Sequence, residues 1–274
     1  MIHVSAAQGA FTFGGLLAVA ASVSLAGPPA DDVRKGYVPA PPGSETLTAP
    51  MDPVSIQMFT DANFLGTQAT LSGVDATVPP GALNELPKGL PDKLSSMRWN
   101  LPRGVVVVLY ENASAKGGQV ILWGIGQVAE LGKWEFNDKA SRWAWFDVGG
   151  GAPTAQKEAA RLLPHGSEPP ATALPDNTLQ LFKDDKFTND MKQVSPVTSV
   201  RAGALQKAPE GMDDKLTSLR WSVPEGVVVI LYEDADGKKA RVAIWGKGQL
   251  STLDRWEFND MVSRWSWTYI GGEG

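Results

Sequence analysis

The chain has 274 residues, 43% of them hydrophobic and 20% charged, with a formal net charge of −5. It can bury substantial cores, and its length suits two domains better than one. It has no cysteine and only 2 histidines, which excludes disulfide staples, thiolate nucleophiles and Cys-ligated zinc or iron–sulfur clusters.

Ala10 to Ala26 is an uncharged, mostly apolar run that stops at Gly27-Pro28-Pro29. It falls short of the roughly 20 apolar residues a membrane span needs. Ser24-Leu25-Ala26 presents small residues where a signal peptidase reads them, so residues 1–26 are read as a signal peptide, the alternatives being an uncleaved anchor or a misassigned start. The expected destination is secreted, periplasmic or at the cell envelope, with no stable membrane span. Residues 27–53 form a Pro-rich leader, read as an extended tether.

Beyond the leader the chain repeats itself. Asp92-Lys-Leu-Ser-Ser-Met-Arg-Trp99 returns as Asp214-Lys-Leu-Thr-Ser-Leu-Arg-Trp221. Gly104 to Glu111 returns as Gly226 to Glu233, and Trp134-Glu-Phe-Asn-Asp138 returns as Trp256-Glu-Phe-Asn-Asp260. Each recurrence lies 122 residues downstream, and the ten tryptophans pair at the same offset. So long a period means two whole domains, at 54–148 and 177–271, joined by a linker at 149–176. His3 lies before the leader and His165 in the linker, so Ser-His-Asp triads and His-ligated metals are not expected in either domain. Ala155 to Leu163 has the composition of a short helix, and a linker of this kind is expected to leave domain orientation loose. The domains carry 8 basic against 9 acidic residues and 13 against 13. Neither has the basic excess that a nucleic-acid partner requires.

In chain order, each unit reads as strands. In the first, Ser55 to Phe59 alternates, Val105 to Tyr110 is a continuous β-branched run, Gln119 to Trp123 follows two glycines, and Arg142 to Phe146 alternates. Short strands divided by Gly, Pro, Asn and Asp clusters predict an all-β sandwich, two four-stranded sheets per unit, with tryptophan supplying much of the core. Each unit also looks internally doubled.

Four loops carry candidate chemistry: Pro91-Asp-Lys-Leu-Ser-Ser96, Asn137-Asp-Lys-Ala-Ser-Arg142, Asp213-Asp-Lys-Leu-Thr-Ser218 and Asn259-Asp-Met-Val-Ser-Arg264. Asp holds the second slot and Ser or Thr the fifth in all four. A carboxylate, a hydroxyl and turn carbonyls suit Ca²⁺, which takes 6–8 oxygens, better than Mg²⁺. The same residues also close Asx- and ST-turns onto their own backbone, and duplication copies a structural turn as faithfully as a ligand.

With these loops the sequence resembles the βγ-crystallins, in particular their microbial calcium-binding members. The third loop matches every slot of their N/D-N/D-x-x-S/T-S motif, and Phe59-Thr-Asp-Ala-Asn-Phe64-Leu-Gly66 matches their strand signature in full. Phe182 and Phe187 match it except at Asn189; the second halves are degraded. The resemblance implies two tandem double-Greek-key β-sandwich domains. It further implies Ca²⁺ held crosswise, with side-chain oxygens from Asp92, Asp138, Ser95 and Ser141 in the first domain and Asp214, Asp260, Thr217 and Ser263 in the second. Lys93, Lys139, Lys215 and Met261 would add main-chain carbonyls. Arg142 and Arg264 depart from the motif by replacing its last Ser. Such a cation opposes binding unless it points away or pairs with Glu135 or Glu257. Pro91 is a second departure, so the second domain is expected to bind at least as well as the first.

The reading is an exported, non-enzymatic calcium-binding protein with a structural or stress role. The competing reading is a secreted recognition module that binds a cell-surface or extracellular polysaccharide or protein, or inhibits a protease or glycosidase, through Trp143, Trp145, Trp265 and Trp267. Of enzyme chemistries only a carboxylate pair survives, for example Glu111 with Glu135.

Overall fold

The chain forms sixteen strands, in a computed structural model that describes residues 40–72, 78–149, 163–237 and 241–271. The expected signal peptide and the expected helix at 155–163, apart from Leu163, lie outside the described residues. The first eight strands are β1 (Ser55–Asp61), β2 (Leu65–Ser72), β3 (Asn84–Glu85), β4 (Ser96–Asn100), β5 (Val105–Tyr110), β6 (Gln119–Leu122), β7 (Ile125–Val128) and β8 (Arg142–Asp147). Their counterparts are β9 (Thr178–Asp184), β10 (Thr188–Val194), β11 (Gln206–Lys207), β12 (Ser218–Ser222), β13 (Val227–Tyr232), β14 (Arg241–Ile244), β15 (Lys247–Leu250) and β16 (Arg264–Tyr269).

The strand order is β2-β1-β4-β7 in one sheet of the first sandwich, and β6-β5-β8-β3 in the facing one. Both sheets are antiparallel throughout. Four consecutive strands thus make a Greek key whose third strand leaves for the opposite sheet: β7 pairs with β4, and β3 pairs with β8. The second sandwich repeats this as β10-β9-β12-β15 and β14-β13-β16-β11. The fold is all-β, two double-Greek-key sandwiches in tandem.

Each sandwich closes over its own core. In the first, Trp99, Trp134, Trp143 and Trp145 pack with Ile56, Met58, Leu94, Leu109 and Leu122; Trp221, Trp256, Trp265 and Trp267 do the same in the second. A third core joins the two. The continuous runs on β5 and β13 are buried on both faces, as such runs are in doubly covered strands. Val107 and Leu109 point into the first sandwich, while Val106, Val108 and Tyr110 meet Val228, Ile230 and Tyr232 across the junction. Phe146 and Trp245 pack there with their rings tilted by 55° and centroids 4.7 Å apart. The backbone seals the junction with related bonds from each side, the Gly104 N–H donating to Ile270 O at 2.6 Å and the Gly226 N–H to Val148 O at 2.8 Å. Through Gln119 and Arg241, β6 pairs with β14, so the adjoining sheets form one eight-stranded sheet. The loose orientation expected of the linker is therefore not what is found: roughly fifteen buried apolar side chains hold the sandwiches together.

The leader and linker also end in structure. Pro41-Pro-Gly-Ser-Glu45 and Pro164-His-Gly-Ser-Glu168 are the same strap, 123 residues apart. Each pairs with the free edge of a sheet. Glu45 exchanges backbone bonds of 2.8 and 3.0 Å with Gln127 on β7, and Glu168 does so at 2.9 and 2.8 Å with Gln249 on β15. The straps cover edges that would otherwise offer unpaired backbone to another chain.

Candidate metal centre

The four loops lie in two pairs, one pair per sandwich. The fourth slot anchors each loop: Leu94, Ala140, Leu216 and Val262 are buried in the cores. The second-slot aspartates are exposed and left-handed, at φ 54° (Asp92), 56° (Asp138), 48° (Asp214) and 54° (Asp260). Asp is among the few non-glycine residues that enter this region at modest cost. The turn aims each aspartate's N–H at the partner loop. Asp92 donates to Ala140 O at 2.9 Å and Asp138 to Leu94 O at 3.0 Å. Asp214 donates to Val262 O at 3.2 Å and Asp260 to Leu216 O at 3.1 Å.

The side chains cross in the same way. Ser141 Oγ donates to Asp92 Oδ1 at 2.8 Å, and Ser95 Oγ to Asp138 Oδ1 at 3.2 Å. In the second sandwich Ser263 Oγ donates to Asp214 Oδ1 at 2.9 Å, and Thr217 Oγ1 to Asp260 Oδ1 at 3.1 Å. Every fifth-slot hydroxyl thus meets the carboxylate of the other loop, not of its own. The fifth-slot N–H groups tie the loops to aromatics at or near the strand ends, donating to the carbonyls of Phe59, Tyr110, Phe182 and Tyr232 at 2.9–3.0 Å.

This donor set fits a hard cation. Two oxygens about 2.8–3.2 Å apart have the spacing of neighbours around one Ca²⁺ with ligands at about 2.3–2.6 Å. Among the described residues no backbone hydrogen bond ends on the third-slot carbonyls of Lys93, Lys139, Lys215 or Met261. Asn259, beside Asp260, keeps a buried Oδ1 with no hydrogen-bond partner, an acceptor that the slot pattern did not single out. Among the described residues no group of three or more His, Cys, Asp or Glu side chains could hold a metal, so any cation here would depend on hydroxyls and carbonyls as much as on carboxylates.

The arginines at the sixth slots take partners other than the aspartate carboxylates. Arg142 pairs with Glu85 on β3 at 2.6 Å, and neither of the glutamates expected from the sequence is its partner. Arg264 donates to the carbonyls of Ala235 and Ser263 at 3.1 and 3.2 Å. The aromatic platform does not form either. Trp143, Trp145, Trp265 and Trp267 are only 4–6% exposed. Three of their indole N–H groups donate to backbone, Trp143 to Glu85, Trp145 to Val78 and Trp267 to Val200. Glu111 and Glu135 do come together, lining a cavity with Lys139, Gln119 and Glu233 of the second sandwich. One Glu111 oxygen is committed to the Gly118 N–H at 2.8 Å, and Lys139 approaches the other at 3.9 Å.

No protein-family model matches the sequence, and no curated protein matches it. Among solved structures the chain is similar to protein S complexed with calcium, at 16% identity over 78% of this chain and 98% of that one, with a TM-score of 0.25. It is also similar to a mutant βγ-crystallin domain from Clostridium beijerinckii, at 23% identity over 34% of this chain and 97% of that one, TM-score 0.26. A third is the βγ-crystallin domain of Abundant Perithecial Protein from Neurospora crassa in its Ca²⁺-bound form, at 14% identity over 38% and 100%, TM-score 0.28. No helix among the described residues is long and apolar enough to cross a membrane.

Proposed function

We propose that this is an exported, non-enzymatic calcium-binding protein of the βγ-crystallin type, in which ions held between crossed loops stabilise each sandwich. Its setting is secreted, periplasmic or at the cell envelope, and its role structural. The observation that carries the reading is the reciprocal pairing of loops: each hydroxyl of Ser95, Ser141, Thr217 and Ser263 lies against the carboxylate of the opposite loop. In the absence of an ion the hydroxyl hydrogens satisfy the carboxylates. With Ca²⁺ bound, the same oxygens turn their lone pairs to a divalent charge that ties both Greek keys of a sandwich together. Asp92 with Ser141, and Asp138 with Ser95, would hold ions in the first sandwich; Asp214 with Ser263, and Asp260 with Thr217, in the second. Lys93, Lys139, Lys215 and Met261 would contribute carbonyls.

An ion that binds only the native state adds RT ln(1 + [L]/Kd) to stability, about 2.7 kcal/mol at a hundredfold excess over Kd. Affinities in the range of extracellular modules, about 10⁻⁴–10⁻³ M, suit sites with one carboxylate per hydroxyl. The test is calorimetric titration of Ca²⁺ into chelator-treated protein, with melting scans in calcium and in EDTA. Heat from two to four sites and a raised melting temperature are the expected result. No heat and no shift at millimolar calcium would reduce the four loops to structural turns.

A further inference from the structure

The second strap does more than cover an edge. Its backbone belongs to the second sandwich: Glu168 pairs with Gln249, Trp256 Nε1 donates to the carbonyl of His165, and Arg255 donates to the carbonyl of Gly166. Its one imidazole crosses to the first sandwich. The His165 ring packs edge-to-face on Tyr110 at 5.6 Å and on Phe146 at 5.7 Å, both members of the joining core. Nε2 is buried without a hydrogen-bond partner. At the equivalent place the first strap carries Pro42, which has nothing to titrate.

We propose that His165 is a pH-sensitive latch, docked neutral between Tyr110 and Phe146 and released as the imidazole takes up a proton. The second proton would sit on Nε2, where the structure offers it no acceptor, and it would bring a charge into a wall of aromatic carbon. Burial lowers the proton affinity of the ring, and only the carbonyl of Gly81 opposes this. The charged groups on the elements packed around it are Arg142 and Asp147 on β8, Glu111 and Lys116 on the β5–β6 hairpin, Asp254, Arg255 and Glu257 near Trp256, and Glu168 on the strap. None of them contributes to that displacement. Tyr110, the other titratable group in contact, is itself pushed further from ionisation by burial.

The direction follows from linkage. The undocked imidazole binds protons more readily than the docked one, so stability rises with pH where the two differ. The contribution is complete above the ordinary histidine value, near 6.5, and is lost as pH falls below it through the docked value. Glu45, Asp176 and Asp190 have their carboxyls held low by ion pairs with Lys133, Lys247 and Lys183, and they titrate below this window.

The test compares the full chain in EDTA, so that no cation contributes, with His165→Phe and with His165→Pro, which copies the residue of the first strap. Between pH 7.5 and 5.5 the parent should lose about 2–4 °C of melting temperature relative to either variant, and the curves should run parallel above pH 7. The chain has two histidines, so the imidazole NMR signal absent from either variant is that of His165, and it should titrate below about 6.5. Parallel melting curves throughout, or titration at 6.5 or above, would overturn the proposal. The NMR assignment needs only one of the two variants, so it stands on His165→Pro if His165→Phe fails to fold.

Discussion

At the scale of the residue, the second-slot aspartate has two separable duties. It turns the backbone left-handed, and it accepts a hydroxyl from the opposite loop. Asp214→Asn preserves both, since Asn tolerates the left-handed region and keeps an acceptor oxygen. Its melting temperature in EDTA should match the parent's while the rise produced by calcium shrinks. Asp214→Ala loses both duties and should cost about 1–3 kcal/mol before any ion is added, read as a urea midpoint. Arg142 gives the opposite kind of prediction. Its partner Glu85 is 78% exposed, so Arg142→Ala should change stability by less than about 1 kcal/mol. Calcium affinity should be unaltered, because the guanidinium pairs with Glu85 rather than with a loop carboxylate. The slot pattern made the carboxylates and hydroxyls legible in the sequence. The crossing came only with the resemblance and not from the slots themselves, because each hydrogen bond joins residues 43 or 49 positions apart. The partner of Arg142 was not legible either; it sits on a strand of two residues.

At the scale of the element, strands with a strong pattern were legible and those without one were not. β5 reads directly from Val105 to Tyr110. β2 is exposed along most of its length and offers no apolar periodicity, while β7 contains Gly126 where an apolar residue would mark the core. That glycine and its counterpart Gly248 exist because a tryptophan lies over the strand. A Cβ at Gly248 would stand 2.4 Å from Trp221 Cζ2 in a filled core. Gly248→Ala should therefore destabilise by about 1–3 kcal/mol through overpacking, seen as a lower urea midpoint at unchanged slope. The straps are hidden in the sequence for a different reason. They sit at an offset of 123 residues, whereas the loops and tryptophans sit at 122, so a comparison at one fixed offset passes over them. The composition of Pro41 to Glu45 suggests a tether, and its pairing with β7 is set by the exposed edge rather than by its own propensity.

At the scale of the whole molecule, the joining core decides how the two sandwiches behave. Its signal in the sequence is the absence of alternation in β5 and β13: a strand with a solvated face would alternate, and these do not. The linker's composition suggests freedom because it carries no trace of the apolar surfaces it connects. With Ile230 1% exposed within that core, Ile230→Ala should cost about 2–5 kcal/mol. It should also broaden a single calorimetric transition toward two, since the contact it removes couples the sandwiches. A mutation inside one core, by contrast, should lower a transition that stays single.

The crossed loops have a consequence in time. Asp92 and Ser141 belong to different Greek keys, as do Asp214 and Ser263, so neither half of a sandwich has a complete donor set before the halves interlock. If calcium binds there as proposed, it would strengthen contacts made late in folding, and such contacts act on the escape rate from the native state rather than on the rate of reaching it. Stopped-flow measurements should find unfolding slowed in proportion to occupancy while refolding proceeds at the same speed with or without the ion. The ion would work as a brake on opening, suited to a protein that must persist where it cannot be replaced quickly.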